Sequence, residues 1–193
     1  MSADSTDINW SEVQPLVPVF HLLANLWLTE VDTEFAELWN SSAVLIGEIL
    51  DEPPVVLKSE DLPELETEYC RLFVGPKGHF PPVQSVWGTA KLESSATESM
   101  SRYIQELQHL HVDEVQCPDH IGEQLRCLAV LLENRPDAST GHTAESDIVL
   151  SDFVTAHLSW PGELMTGVLA ANPAAVYRQL VLLTETLLAD LQA

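Results

Sequence analysis

The sequence predicts an all-α fold, a single compact helical domain of about eight or nine mostly short helices. Three observations carry that prediction. Apolar residues recur nearly everywhere at the 3.6-residue period that gives a helix one buried face. The one β-rich run, Val55-Val56-Leu57, has no second run to pair with, and a lone strand cannot satisfy its own backbone. Hydrophobic residues make up 46% of the 193 positions, enough to bury a real core in one domain. No apolar run approaches the roughly 20 residues a membrane span needs.

Taken in order, residues 1–11 read as a flexible acidic N-terminal leader, and 12–193 as the helical domain. Over 15–27, Leu16, Val19, Phe20, Leu23 and Trp27 fall at helical spacing, with Pro15 and Pro18 in the opening turn, where a missing N–H costs nothing. A short helix follows from Asp32, with Phe35, Leu38 and Trp39 apolar, and another over 42–50 turns Leu45, Ile46 and Ile49 inward. Asp51-Glu52-Pro53-Pro54 breaks the pattern, and Asp61-Leu62-Pro63-Glu64 opens the next helix. That helix carries Tyr69, Leu72 and Phe73 on one face and halts at Gly75-Pro76, where glycine supplies a left-handed cap and proline cannot continue the turn. Helices are expected over 94–111, from Pro118 onward, over 148–158 and over 160–169, with a polar connection over 134–147. A last helix over 173–191 has Asn172 as its cap, Pro173 in first position, and Val176, Tyr177, Leu180, Leu183, Leu187 and Leu191 along one side.

Charge excludes several functions. Eight Lys and Arg stand against thirty Asp and Glu, a formal net charge of −22. Phosphate binding needs clustered cations to displace counterions, so no nucleic-acid partner is expected, and anionic membrane surfaces are disfavoured for the same reason. The acidity serves solubility or life at high salt, or it attracts a cationic ligand such as an arginine-bearing peptide. The even spread of acids along the chain favours the first reading. Cys70, Cys117 and Cys127 form no Cys-x-x-Cys and leave one thiol unpaired, which suits a reducing compartment. The polar, acidic start of the chain is the opposite of a secretory signal, so a cytoplasmic location is expected.

Catalysis finds no good candidates. His109, His111, Cys117 and His120 crowd one segment, yet their spacing matches no standard zinc site, so no metal and no cofactor is expected. Gly75-Pro76-Lys77-Gly78 lacks the phosphate-loop pattern, and Pro76 removes an N–H that would cradle phosphate. Cys70 has acidic neighbours, the reverse of an activating environment. A nucleotide or small-molecule enzyme built on 109–120 is therefore a minor reading.

Three stretches stand out instead. The segment 80–87 holds Phe80, Pro81, Pro82, Val83, Val86 and Trp87, too apolar for a solvent linker and stiffened by paired prolines. It is core filler or a contact surface. Cys117-Pro118-Asp119-His120-Ile121-Gly122 opens a helix, and Asp119 and His120 serve either as ordinary helix-start residues or as a carboxylate and imidazole able to hydrogen-bond a peptide. Phe153, His157 and Trp160 share one face, a pattern that suits core packing.

In this order the three stretches resemble the TorD/DmsD family of redox-enzyme maturation chaperones. The first match consists of Tyr69, Leu72, Phe73, Gly75, Pro76, Pro81, Pro82, Ser85, Val86 and Trp87. The second is Pro118, Asp119, His120 and Ile121 with the acidic Glu114 upstream, and the third is Phe153, His157, Leu158 and Trp160. The resemblance implies a cytoplasmic, non-enzymatic chaperone. Such a chaperone binds the twin-arginine signal peptide, the body, or both, of an apo molybdoenzyme, assists cofactor insertion and delays export. It implies a peptide site at Pro82, Ser85, Trp87, Glu114, Asp119 and His120, and it admits a monomer or a helix-exchanged dimer. The alternative is an assembly factor that binds a folded respiratory oxidoreductase subunit independently of any leader peptide.

Overall fold

The computed structural model describes residues 8–87, 95–107, 115, 117–136 and 143–191. Among these residues the regular structure is helical, and the single β-type pairing is an isolated antiparallel bridge between Val83 and His120. The predicted all-α class is what the chain adopts.

Helix α1 (Trp10–Val13) passes through a 3₁₀ turn (Gln14–Leu16) into α2 (Val17–Leu28), with Pro15 and Pro18 in opening turns as expected. The folded body begins earlier than the expected leader boundary, because Trp10 is only 3% exposed and packs into the core. Asp32 caps α3 (Thr33–Leu50) by accepting the Phe35 N–H at 3.1 Å. Where two short helices were expected, α3 is one. Asn40, which would compete with the local backbone, is instead bound to Leu57, accepting its N–H and donating to its carbonyl at 2.8 Å each.

Helix α4 (Leu62–Tyr69) ends in a π-helical turn (Cys70–Val74), in which Gly75 N–H reaches the Cys70 carbonyl at 2.7 Å. Gly75 does not use the left-handed region; its φ of −55° and ψ of 164° are the extended values that the following Pro76 imposes. Next come α5 (Gln84–Trp87), α6 (Ser95–Leu107), α7 (Ile121–Glu133), α8 (Thr143–His157), α9 (Pro161–Ala170) and α10 (Ala175–Asp190). Helix α7 starts at Ile121 rather than Pro118, since His120 is its N-cap. Helix α8 starts ahead of the expected Ile148, with Asp147 on it held by Arg135 at 2.6 Å. Asn172 does not cap α10; with φ of +50° it stops α9, an asparagine tolerating the left-handed region, and Ala174 caps α10 while its N–H donates to Glu68.

The most extensive helix pairing is α2 against α7. Gly122 permits it, because a Cβ there would lie 2.6 Å from Leu28 Cγ and 3.1 Å from the Ala24 carbonyl. Beside this pair, Trp27 and Tyr177 each meet Phe73 edge-on, with ring centroids 5.6 and 5.8 Å from it. Trp27 Nε1 donates to Thr184 Oγ1, and Tyr177 OH donates to the Leu65 carbonyl, so each buried polar tip is satisfied. The π turn is thus the place where the first sequence stretch enters the core.

Candidate peptide-binding site

The apolar loop is fastened at both ends. Phe80 N–H donates to the Leu72 carbonyl at 2.6 Å, tying the loop to the π turn, and Trp87 Nε1 donates to the Pro81 carbonyl at 2.6 Å, closing the loop on itself. The Phe80 and Trp87 rings stack, with an interplanar angle of 11°. Phe80 also packs on α9 at Gly167, where a Cβ would sit 2.4 Å from the ring.

The loop then clasps the start of α7. Ile121 N–H donates to the Pro82 carbonyl at 2.8 Å, Gln84 N–H to the Asp119 carbonyl at 3.0 Å, and Ser85 N–H to Asp119 Oδ2 at 2.8 Å. Asp119 is 2% exposed, so its carboxylate is an interior strut on the loop rather than an open charge. A buried N–H left without an acceptor costs about 1–3 kcal/mol, which is why Ser85 needs it.

Beneath the clasp runs a chain of side-chain hydrogen bonds. Trp160 Nε1 donates to Gln124 Oε1 at 2.9 Å, and Gln124 Nε2 donates to Gln84 Oε1 at 2.7 Å. Gln84 Nε2 donates to the Ala156 carbonyl at 2.8 Å. His157 Nδ1 lies 3.2 Å from the same Gln84 oxygen, and its Nε2 lies 3.0 Å from Ser99 Oγ. An amide oxygen only accepts, so Nδ1 carries the His157 proton and Nε2 accepts from the serine. Burial pushes His157 down to about 4, against the opposing pull of the Asp119 carboxylate, and holds the ring neutral. His120 is likewise pushed down to about 4 by burial; its Nδ1 accepts the Gly122 N–H at 3.1 Å, which leaves Nε2–H as its donor. Cys117, beside the clasp, has its thiol pushed up by burial and by Asp119, so it is no ready nucleophile.

Of the residues expected at a peptide site, Pro82, Ser85, Trp87, Asp119 and His120 therefore come together in one unit. Pro82 and Asp119 are buried, Ser85, Trp87 and His120 are half-buried, and the neighbouring Val86 is 51% exposed. Glu114 lies outside the described residues, as do His109 and His111. Among the described residues no group of three or more His, Cys, Asp or Glu is placed to hold a metal. Sequence reasoning passed over Gln84, Gln124 and Ser99. Gln124 did leave a signal, since it is a polar residue within the apolar stripe of Ile121, Leu125 and Leu128.

The three stretches meet at one place, and comparison with known families agrees with them: the family model for the nitrate reductase delta subunit matches residues 28–166. The chain belongs to that family. No curated protein and no solved structure compared with the chain gives a match. The nitrate reductase delta subunit family is a chaperone family of the TorD/DmsD type that matures molybdoenzymes and works with nitrate reductase-type enzymes. Its members are assembly factors rather than catalysts. The matched region runs from the end of α2 into α9 and includes all three motif stretches. Among the described residues no helix is long and apolar enough to cross a membrane.

Proposed function

We propose that this delta-subunit family member is a cytoplasmic chaperone that binds the twin-arginine signal peptide of an apo molybdoenzyme, holding it back from export during cofactor insertion. The clasp between the 80–87 loop and the start of α7 carries this reading. A twin-arginine leader pairs guanidiniums with an apolar stretch, and the exposed Val86 and half-buried Trp87 offer apolar surface to the second. Among the described residues His120 Nε2–H is free to donate to the peptide's carbonyls, and the net charge of −22 favours its cations. Asp119 serves as a positioning residue, since its carboxylate fixes Ser85 and so the loop.

Titration of a twin-arginine peptide by calorimetry tests the proposal. Trp87→Ala should weaken binding on the order of tenfold, the usual effect of removing an aromatic anchor. Asp119→Ala should weaken it comparably by freeing the loop, while Asp119→Asn, which keeps an acceptor for Ser85 N–H, should retain most of the affinity. Unchanged affinity in both alanine variants sinks the site. Full binding of a client stripped of its leader would favour a factor that recognises the folded subunit instead.

A further inference from the structure

A second surface lies between residues 53–57, α4 and the start of α10. The segment 53–57 behaves as a strand with no sheet. Val55 N–H donates to Gln179 Oε1 at 3.2 Å, and the Val55 carbonyl accepts Trp39 Nε1 at 2.8 Å. Leu57 makes both of its backbone bonds to Asn40, while the Pro53 carbonyl accepts Gln179 Nε2 at 3.0 Å. Side-chain amides of α3 and α10 thus stand in for a neighbouring strand on one edge. In extended backbone the next residue points its N–H and C=O the opposite way. Val56 is that residue: it is 66% exposed, and its N–H and C=O meet no partner among the described residues. Pro54 has no N–H, and the Lys58 N–H and C=O both pair with Asp61, so the open edge is Val56 alone.

Val55, Val56 and Leu57 also line a cleft of about 690 Å³, a size typical of ligand clefts. Leu65 and Val176 contribute apolar surface, and Asp61, Glu64 and Glu68 line it, with no Lys or Arg among the lining residues. Glu68 is engaged with Arg71 and the Ala174 N–H and held below the usual carboxylate range, first by the Arg71 hydrogen bond, so its charge is already paired and Asp61 and Glu64 are the acids left to meet a cation. Glu64 is exposed at the mouth.

We propose that this cleft takes an extended, cationic peptide segment as an added strand, paired to the Val56 backbone and with arginine or lysine side chains toward Glu64 and Asp61. An unpaired strand edge is completed by a chain about 4.8 Å away, and alternate side chains of that chain point to opposite faces, so a peptide alternating cationic and apolar residues matches both walls. The proposal is independent of the leader site.

The test uses a short labelled peptide alternating arginine and valine, its backbone N-methylated counterpart, and fluorescence anisotropy with the full chain. Any cation is drawn to a net charge of −22, so the N-methylated peptide, equal in charge but unable to pair, is the decisive control. The expected result is binding of the plain peptide and at least about tenfold weaker binding of the methylated one. Val56→Pro, which deletes one edge N–H at an exposed position, and Glu64→Lys should each weaken the plain peptide to a similar degree, while Trp87→Ala should not. Equal binding of the two peptides, or unchanged affinity in Val56→Pro, overturns the proposal. So does a loss confined to Trp87→Ala, which would put the probe at the leader loop. If Val56→Pro lowers the melting temperature sharply, the methylated-peptide comparison still decides the matter.

Discussion

At the scale of single residues, two histidines, the buried His157 and the half-buried His120, set how the clasp behaves. His157 is 1% exposed and bonded on both ring nitrogens, and burial lowers its pKa to about 4 from an unfolded value near 6.5. The unfolded chain therefore binds more protons than the folded one between those two values, so stability attributable to His157 is fully present above pH 6.5 and is lost as the pH falls toward 4. The loss should be on the order of 1–3 kcal/mol. Acidification also relieves repulsion among the carboxylates, which acts in the opposite direction. Comparing the chain with His157→Gln by urea unfolding across pH 7 to 4 separates the two: the variant, although less stable at pH 7, should lose less stability over that range. Parallel pH profiles would show that protonating His157 is not what weakens the fold. Neither histidine advertised this in the sequence, where both were legible only as motif members. Their neutrality follows from burial, and burial is set by partners that lie far along the chain.

At the scale of elements, the joints matter more than the helices. Gly167 exists so that Phe80 can lie on α9, and a Cβ there would overlap ring atoms at 2.4 and 2.5 Å. Gly167→Ala should lever Phe80 off α9 and open the Phe80–Trp87 stack. Overpacking of this kind costs about 1–3 kcal/mol, visible as a lower melting temperature, and the Trp87 indole N–H should exchange faster as its bond to Pro81 loosens. An unchanged melting temperature with unchanged exchange would mean that the ring can shift without consequence. The helices themselves were mostly legible, because their apolar period is a local property of the chain. The joints were not. The fusion of two expected helices into α3 depends on Asn40 finding Leu57, and the stop of α9 depends on Asn172 taking a left-handed turn. Asparagine favours helix ends in sequence, yet Asn40 sits inside α3 because Leu57 satisfies its side chain, while Asn172, expected to start a helix, ends one through its left-handed backbone.

At the scale of the whole molecule, the excess of negative charge governs behaviour. Among the described cations, Lys58, Arg71, Arg102, Arg126, Arg135 and Arg178 each lie within ion-pair distance of a carboxylate. Few positive charges are left to offset a surface that carries most of thirty acids. Self-repulsion should therefore weaken the fold in dilute buffer, and the melting temperature should rise as salt is raised into the molar range. A melting temperature independent of salt would mean that the acids are too dispersed to repel one another appreciably. Affinity for a twin-arginine peptide should move the other way and fall with salt if the acids attract it. The opposite slopes can be measured in one series of buffers.

The sequence by itself determined the helical class, the excess of acid and the three stretches that point to the delta-subunit family, because periodicity, composition and motif order are all written in near neighbours. Only the tertiary structure decided what those stretches do to each other. It turned Asp119 from an apparent surface charge into the strut under Ser85, joined Gln84, Gln124, His157 and Trp160 into one network, and gave a strand without a sheet its partners in Asn40 and Gln179. The physical reason is the same in each case. A buried polar group must find a partner wherever the fold brings one, and the distance along the chain does not say where that will be.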